Sequence, residues 1–201
     1  MSVNLQKGQK VDLTKGNAAL RRVMVGLGWA ESEKAQQKGQ KEEYDLDAMV
    51  FLLDANGTIA SKGDVVFFNN LTHSSGCVKH QGDDLVGGSG GDDEQVMIDL
   101  SRLPQHYDRL VVIVSIYKAS EKGQHFGVIS RAHIRLIDAD TNKELCIFNL
   151  SENYSGATAM IFGELYRRQG EWKFGAVGQP LQQWSVAQLT EQYGLSRSVW
   201  S

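Results

Sequence analysis

The chain alternates between short apolar runs, rich in valine, isoleucine and phenylalanine, and turns rich in glycine, asparagine and aspartate. This pattern is typical of an all-β sandwich or barrel, so most of the apolar runs are expected to be strands. The near-continuous apolar run at residues 110–117 predicts a central strand that is covered on both faces. Strands are expected at residues 23–29, 46–53, 65–68, 95–100, 110–117, 132–137, 145–150, 159–168 and 172–176.

The pattern changes from strand to helix near the C-terminus. Ser185 and Gln188 have the spacing of a capping box, and the apolar residues that follow recur with a helical period. This helix either docks on its own sandwich or binds a partner near Trp200, and the sequence leaves both open. The predicted fold class is therefore an all-β, two-sheet β-sandwich with a short C-terminal helix. The predicted domains are the sandwich at residues 1–179 and a helical extension at residues 180–201.

Composition and charge exclude several function classes. The chain has 201 residues, which is enough for one domain or a tight pair with a full core. Its formal net charge of −3 does not provide the broad basic surface that binds nucleic acid, so no nucleic-acid partner is expected. That total hides an uneven distribution, because residues 80–101 contain six acids and no lysine or arginine. Binding of a charged ligand is therefore expected at this local patch.

The sequence also indicates the compartment. No stretch is apolar enough for a transmembrane helix, and the N-terminal residues lack the apolar core of a secretory signal, so direct membrane insertion is not expected. Cys77 and Cys146 form no CxxC pair, which favours reduced thiols. These features together predict a cytoplasmic protein.

Residues 82–94, here termed the acidic segment, carry the candidate chemistry. Five carboxylates flank five glycines there, and glycine lets the backbone fold tightly enough to bring carboxylate and carbonyl oxygens towards one point. Calcium takes about six to eight such oxygen ligands in a tolerant geometry, whereas zinc prefers nitrogen and sulfur. The segment therefore predicts calcium binding. The alternative is a solvated acidic loop that binds nothing specific.

Two further acids precede a predicted strand. Asp45 and Asp47 flank Leu46, so on a pleated strand both point to one side while Leu46 turns towards the core. Together with the five acids of the acidic segment they exceed what a single divalent ion needs. One or two calcium sites are therefore predicted.

Other motifs give weaker signals. The EF-hand pattern is absent. A zinc site could be formed by His73, Cys77, His80 and Asp83. Their spacing, however, matches no zinc signature. A GxSxG match around Ser89 lacks the preceding strand and following helix that a nucleophile elbow needs.

Short motifs over most of the chain have a recognisable order and spacing. They are Gly26-Leu27-Gly28-Trp29, Asp45-Leu46-Asp47-Ala48, Phe68-Asn69-Asn70, Gly82-Asp83, Gly91-Asp92-Asp93-Glu94, Asp99-Leu100-Ser101, Ser115-Ile116-Tyr117, Gly163-Glu164-Leu165-Tyr166-Arg167-Arg168 and Trp172-Lys173-Phe174. Over about residues 3–179 the chain resembles the TerD family of tellurium-resistance and general stress proteins. The resemblance implies a cytoplasmic bacterial β-sandwich that binds calcium through its acidic loop. Its implied partners are other stress-operon proteins, including at a membrane-associated assembly.

The resemblance also implies a set of metal ligands. The family's acidic positions are matched by Asp45, Asp47, Asp83, Asp92, Asp93 and Glu94, and Asn69 matches an asparagine near them. Asp84 stands where the family usually has asparagine, and Gly88 and Gly90 stand where it often has acids. With Ca²⁺ as the cofactor and no catalytic residue, the predicted ligands are Asp45, Asp47, Asn69, Asp83, Asp84, Asp92, Asp93 and Glu94.

Three hypotheses of function follow. The first is a non-enzymatic calcium-binding stress-response protein whose acidic segment orders a partner-binding surface. The second is a metal-assisted hydrolase that uses the same carboxylates, which would need an open metal position and a general base. The third is a structural sandwich whose acidic segment only increases solubility. None of them explains tellurite chemistry, because reducing that oxyanion would need paired thiols of low pKa.

Overall fold

Two six-stranded sheets pack against each other in the computed structural model, which describes residues 2–31, 44–82, 92–149, 154–182 and 184–201. The first sheet contains, in spatial order, β1 (Val3–Leu5), β10 (Lys143–Asn149), β9 (Ile129–Asp138), β3 (Arg22–Glu31), β7 (Glu94–Asp99) and β6 (Val78–His80). The second contains β2 (Lys10–Asp12), β12 (Glu171–Leu181), β11 (Ala159–Arg168), β8 (Tyr107–Ile116), β4 (Leu46–Asp54) and β5 (Val65–Val66). The predicted all-β, two-sheet fold is confirmed.

The first two strands pair with strands from the other half of the chain. β1 lies parallel to β10, with Val3 opposite Cys146. β2 lies antiparallel to β12, with Val11 opposite Phe174. These pairs place the N-terminal residues at one edge of each sheet. Because β1, β2 and β6 have three residues each, they are too short to show a period of two, and the apolar pattern does not predict them.

Residues of β4 alternate between two apolar environments. Those that pack between the sheets are Leu46, Ala48, Val50 and Leu52, and those that pack on the outer face of the second sheet are Met49, Phe51 and Leu53. β8 alternates in the same way and lies between β11 and β4. A strand that is covered on both faces has no polar side, which accounts for the near-continuous apolar run at residues 110–117.

Short helices complete the fold. They are α1 (Ala119–Lys122), α2 (Val186–Gln192) and 3₁₀ helices at Lys62–Asp64, Phe126–Val128 and Arg197–Trp200. Helix α2 covers the outer face of the second sheet, where Leu189 joins the apolar cluster that contains Phe51. The predicted cap is present, since Ser185 Oγ accepts a hydrogen bond from Gln188 N at 3.1 Å. The helix thus docks on its own sandwich, and the predicted domain boundary after residue 179 lies within β12.

A buried polar network holds the crossover between β5 and β6, where the chain passes from the second sheet to the first. Tyr107 Oη donates a hydrogen bond to Asp64 Oδ1 at 2.5 Å, and His73 Nε2 lies 3.2 Å from the same oxygen. The other oxygen of Asp64 accepts from Ser61 N at 2.8 Å. Because Ser75 N donates to His73 Nδ1, the ring proton of His73 is on Nε2 and points at Asp64.

This network keeps Asp64 ionised although it is buried. Burial by itself raises the pKa of the Asp64 carboxyl, but the hydrogen bonds from Tyr107, His73 and Ser61 outweigh burial and hold the pKa below its usual value. Burial, together with the bond to Asp64, raises the pKa of Tyr107. The Tyr107 hydroxyl therefore keeps its proton and remains a donor at neutral pH.

Tyr107→Phe is expected to lower the free energy of unfolding by about 1.5–3 kcal/mol near neutral pH, because it removes a hydrogen bond to a buried carboxylate. The folded pKa of Asp64 is depressed, so this stabilisation is present above the unfolded pKa of about 3.9 and is lost as the pH falls through the folded value. Urea denaturation at a series of pH values measures the difference.

The control for this experiment is Tyr117→Phe, at an exposed tyrosine. It is expected to change the free energy of unfolding by no more than about 0.5 kcal/mol. A loss in Tyr107→Phe that is the same at neutral and at acidic pH would contradict the role assigned to the Asp64 carboxylate.

Candidate metal site

Glu94, the first residue of β7, extends its carboxylate from the first sheet to the second. Its Oε2 atom accepts a hydrogen bond from the backbone N–H of Ala48 in β4. β5 pairs with Val50 and Phe51 and ends there. Beyond β5, the Glu94 carboxylate takes the place of a neighbouring strand as the hydrogen-bond acceptor for the backbone of β4. Glu94 is only 1% exposed. This contact brings the start of β4 and the start of β7 to the same end of the sandwich, here termed the acidic end.

His80 of β6 lies beside the Glu94 carboxylate. Its Nε2 atom is 3.6 Å from Glu94 Oε2, and its Nδ1 atom accepts a hydrogen bond from Gly82 N at 3.2 Å. Since Nδ1 accepts, the ring proton is on Nε2 and faces Glu94. The histidine thereby links the first residue of the acidic segment to the carboxylate at its last residue.

Asp93 is anchored to β3. Its Oδ2 atom accepts a hydrogen bond from Trp29 N at 3.0 Å, and its own N–H donates to Leu27 O at 2.8 Å. The Trp29 indole Nε1 in turn donates to Tyr44 O at 3.2 Å, directly before Asp45. Asp93 is 5% exposed. A second chain of hydrogen bonds therefore joins the end of the acidic segment to the residues that lead into β4.

Asp45 and Asp47 stand at the start of β4. Leu46 packs in the core between the sheets, so the alternation of β4 places both aspartates on the opposite side of the strand. The backbone oxygen of Asp45 accepts a hydrogen bond from Tyr117 N at 2.8 Å. Asp47 is 5% exposed, so a carboxylate is buried on this strand as well.

Asp92 makes a different contact from its neighbours. Its two carboxylate oxygens accept hydrogen bonds from Arg135 of β9, with Nε to Oδ1 at 2.6 Å and Nη2 to Oδ2 at 3.0 Å. Arg135 also reaches Glu144, with Nη1 3.4 Å from Oε2. The hydrogen bond to Asp92, helped by Glu144, raises the pKa of the Arg135 guanidinium. A bidentate pair of this kind holds the carboxylate in one orientation.

Gly26 of β3 makes room for this ion pair. A Cβ atom at this position would lie 2.3 Å from Asp92 Cγ, which is far inside contact distance. Glycine in a strand interior often marks such a close approach. The pairing of Asp92 with Arg135 is not evident from the acidic segment itself, and Gly26 is the one sequence signal that could have indicated it.

Of the remaining predicted ligands, Asn69 is described and Asp83 and Asp84 are not. Asn69 is exposed in the turn between Phe67 and Asn70. Asp83 and Asp84 lie outside the described residues. Within the described part of the chain, no group of three or more histidine, cysteine, aspartate and glutamate side chains is placed to hold a metal ion. Calcium binding therefore stays a prediction.

The alternative chemical sites can be compared with the described residues. His73 Nε2 faces Asp64, while the thiol of Cys77 donates to Arg102 O at 3.2 Å. Of the other two zinc candidates, His80 lies beside Glu94. The last one, Asp83, and the serine of the GxSxG match, Ser89, lie outside the described residues. No helix among the described residues is long and apolar enough to cross a membrane.

Comparisons with known proteins identify relatives over nearly the whole chain. A family model described as the TerD domain matches residues 1–193, which includes α2. General stress protein 16U of Bacillus subtilis (strain 168) is 44% identical over 195 residues, 97% of this chain and 98% of that protein. Tellurium resistance protein TerD of Serratia marcescens is 43% identical over 198 residues, 98% of this chain and 100% of that protein. The resemblance indicated by the sequence motifs is confirmed.

A solved structure supports the fold. A homologue of telluride resistance protein (TerD) from Streptomyces coelicolor A3(2) matches with a TM-score of 0.64 and 22% identity, covering 88% of this chain and 99% of that chain. At this identity the likeness concerns the arrangement of the two sheets and not the ligands of any site.

Gly26→Ala is expected to destabilise the protein by about 1–3 kcal/mol, because the added methyl group would displace the Asp92 carboxylate from Arg135. Chemical denaturation of Gly26→Ala, Arg135→Ala and the double variant measures this effect. If the methyl group acts through the ion pair, the two losses are less than additive.

Gly175→Ala is a matched control, since it also lies in a strand and its Cβ would meet neighbours at 3.6 Å, an ordinary contact distance. Its stability is expected to stay close to that of the wild type. A Gly26→Ala variant as stable as Gly175→Ala would contradict the close approach described here.

Proposed function

Because the chain belongs to the TerD domain family, we propose that it is a non-enzymatic, calcium-binding stress-response protein of the tellurium-resistance type. In this proposal the acidic segment and the start of β4 bind one or two Ca²⁺ ions. The bound calcium orders a surface for partners, which we propose to be other proteins of the same stress response in the cytoplasm.

The hydrogen bond between Ala48 N and Glu94 Oε2 carries this proposal. It joins two acidic stretches, residues 45–47 and 92–94, that are far apart in the sequence. The bond from Trp29 Nε1 to Tyr44 O joins the same stretches by a second route. In the proposal, calcium draws the carboxylates of these two stretches together, since like charges repel one another unless a cation lies among them.

The donor chemistry at the acidic end is suited to a hard cation. Asp47, Asp93 and Glu94 are buried and offer oxygen atoms, which calcium prefers over nitrogen and sulfur. Each buried carboxylate also costs free energy unless its charge is compensated. Asp83 and Asp84 would complete the ligand set, while the ion pair with Arg135 would let Asp92 anchor the end of the acidic segment. Bound calcium would supply positive charge that offsets these carboxylates.

The cysteines do not favour a reductive role towards tellurium oxyanions. Thiol chemistry needs an accessible thiolate. Cys146 is buried, and this burial raises the pKa of its thiol to about 12. Cys77 is buried as well. In the proposed function, tellurium resistance therefore arises from the binding of calcium and partner proteins and not from a thiol-dependent reaction.

Isothermal titration calorimetry of chelator-treated protein with calcium chloride tests the proposal. Saturable binding is expected, and a hundredfold excess over the dissociation constant should add about 2.7 kcal/mol to the free energy of unfolding. Asp93→Asn keeps an oxygen that can accept the hydrogen bond from Trp29 N but removes the charge, so it should weaken calcium binding on the order of tenfold or more.

Asp140→Asn is the matched control, because Asp140 is an exposed aspartate that pairs with Arg22, away from the acidic end. It should bind calcium like the wild type. The proposal fails if calcium produces neither heat nor a change in melting temperature. It also fails if Asp93→Asn and the double variant Asp45→Asn, Asp47→Asn both bind calcium as the wild type does.

A further inference from the structure

Phe68 and Tyr117 are two exposed large hydrophobic side chains that lie next to each other on one face of the protein. Five such side chains occur among the described residues, and Leu71 and Val199 are two of the others. Phe68 is 42% exposed and Tyr117 is 40% exposed. The fifth, Val3, lies in β1 at the edge of the first sheet. Soluble proteins seldom gather exposed apolar groups on one face unless something binds there.

Four aromatic rings follow one another across this face, and they are here termed the aromatic row. The ring centroids of Trp200 and Phe67 are 5.9 Å apart, those of Phe67 and Phe68 are 5.1 Å apart, and those of Phe68 and Tyr117 are 6.3 Å apart. Each pair is close to perpendicular, as the charge distribution of aromatic rings favours. The row is therefore a formed structure and not a set of scattered side chains.

The last residues of the chain form one wall of a cleft beside this row. Trp200 Nε1 donates a hydrogen bond to Oγ1 of the buried Thr190 in α2 at 2.9 Å. Arg197 pairs with Glu191 of the same helix, with Nη2 2.6 Å from Oε2. Between Trp200 and the 62–70 segment lies a cleft of about 460 Å³. That volume is within the range of sites that take a bulky group.

Lysine side chains lie at both ends of the aromatic row. Lys62 Nζ is 5.0 Å from the centroid of the Trp200 ring. At the other end, Lys118 Nζ and Lys122 Nζ are 5.5 Å and 5.8 Å from the centroid of the Tyr117 ring. The carboxylate of Glu121 lies 4.0 Å from Lys118 Nζ, and no other ion pair of these three lysines occurs in the part of the chain that the structure describes. The face is thus apolar in its middle and positively charged at its ends.

We propose that this face is a docking site for a peptide segment of a partner protein, in which a bulky apolar side chain is flanked by carboxylates. The apolar side chain enters the cleft beside Trp200. The carboxylates pair with Lys62 at one end and with Lys118 and Lys122 at the other. A concave cleft accepts a protruding side chain, which a flat lipid surface does not offer, so the shape favours a peptide over an anionic membrane.

The rings and lysines of the docking site lie outside the predicted ligand set, and its wall is held by hydrogen bonds within the C-terminal residues. The cleft shares one residue with that set, Asn69, which lines it. Binding is therefore measured on chelator-treated protein. A failure of calcium binding and a failure of peptide binding can then be distinguished.

The experiment uses fluorescence anisotropy with a labelled synthetic peptide that carries a Leu-Phe pair between runs of aspartate and glutamate. Saturable binding is expected, and it should weaken as salt screens the lysines. Phe68→Ala should weaken binding by at least about tenfold, as truncation of an anchoring aromatic side chain commonly does. The double variant Lys118→Glu, Lys122→Glu should weaken it by a similar factor.

Val3→Ala is the matched control, because Val3 is also an exposed apolar residue but lies at the edge of the first sheet. It should bind the peptide like the wild type. Equal binding of a peptide with serine in place of the Leu-Phe pair would overturn the proposal, and so would equal binding by Phe68→Ala. Binding to phosphatidylglycerol vesicles but not to the peptide, or a dimer of this chain that Phe68→Ala dissociates, would also overturn it.

Discussion

A carboxylate buried between two β-sheets must be met by polar groups from the surrounding strands, and this requirement at Glu94 determines how the acidic end is built. Ala48 of the second sheet donates to Glu94, and His80 of the first sheet faces it. Because the side chain is almost inaccessible to water, neither partner can be replaced by solvent without cost. The Glu94 carboxylate therefore connects β4 of the second sheet with β6 and β7, which are already paired in the first.

The long strands could be predicted from sequence because they combine length with clear apolar patterning. The run at residues 110–117 is informative for a specific reason, since one side of β8 packs between the sheets and the other lies in the cluster beneath α2. The three-residue strands gave no such pattern. Two of them, β1 and β2, form because strands far away in the sequence offer open edges, and such an edge leaves no pattern in the local sequence.

The sequence could nominate candidate ligands but could not predict their contacts. The chemistry of clustered carboxylates and the family motifs indicated which acids are candidates for the site, and that assignment stays a prediction. They did not indicate that Asp92 would be paired with Arg135, a residue in another strand, or that Asp93 would be anchored by the backbone of Trp29. Both contacts require knowledge of which strands are neighbours.

The segment from Ser61 to His80 links the acidic end to the aromatic row, and the network around Asp64 holds that segment in place.

The pairing of the N-terminal strands has a consequence for synthesis of the chain. Val3 meets Cys146 and Val11 meets Phe174, so β1 and β2 can pair only after the much later strands β10 and β12 have been made. Contacts that close over such distances form slowly. The nascent chain must keep two short, unpaired strands free of unwanted partners until β10 and β12 emerge. Polar and charged residues in and between these strands, such as Lys7 and Lys10, disfavour such pairing.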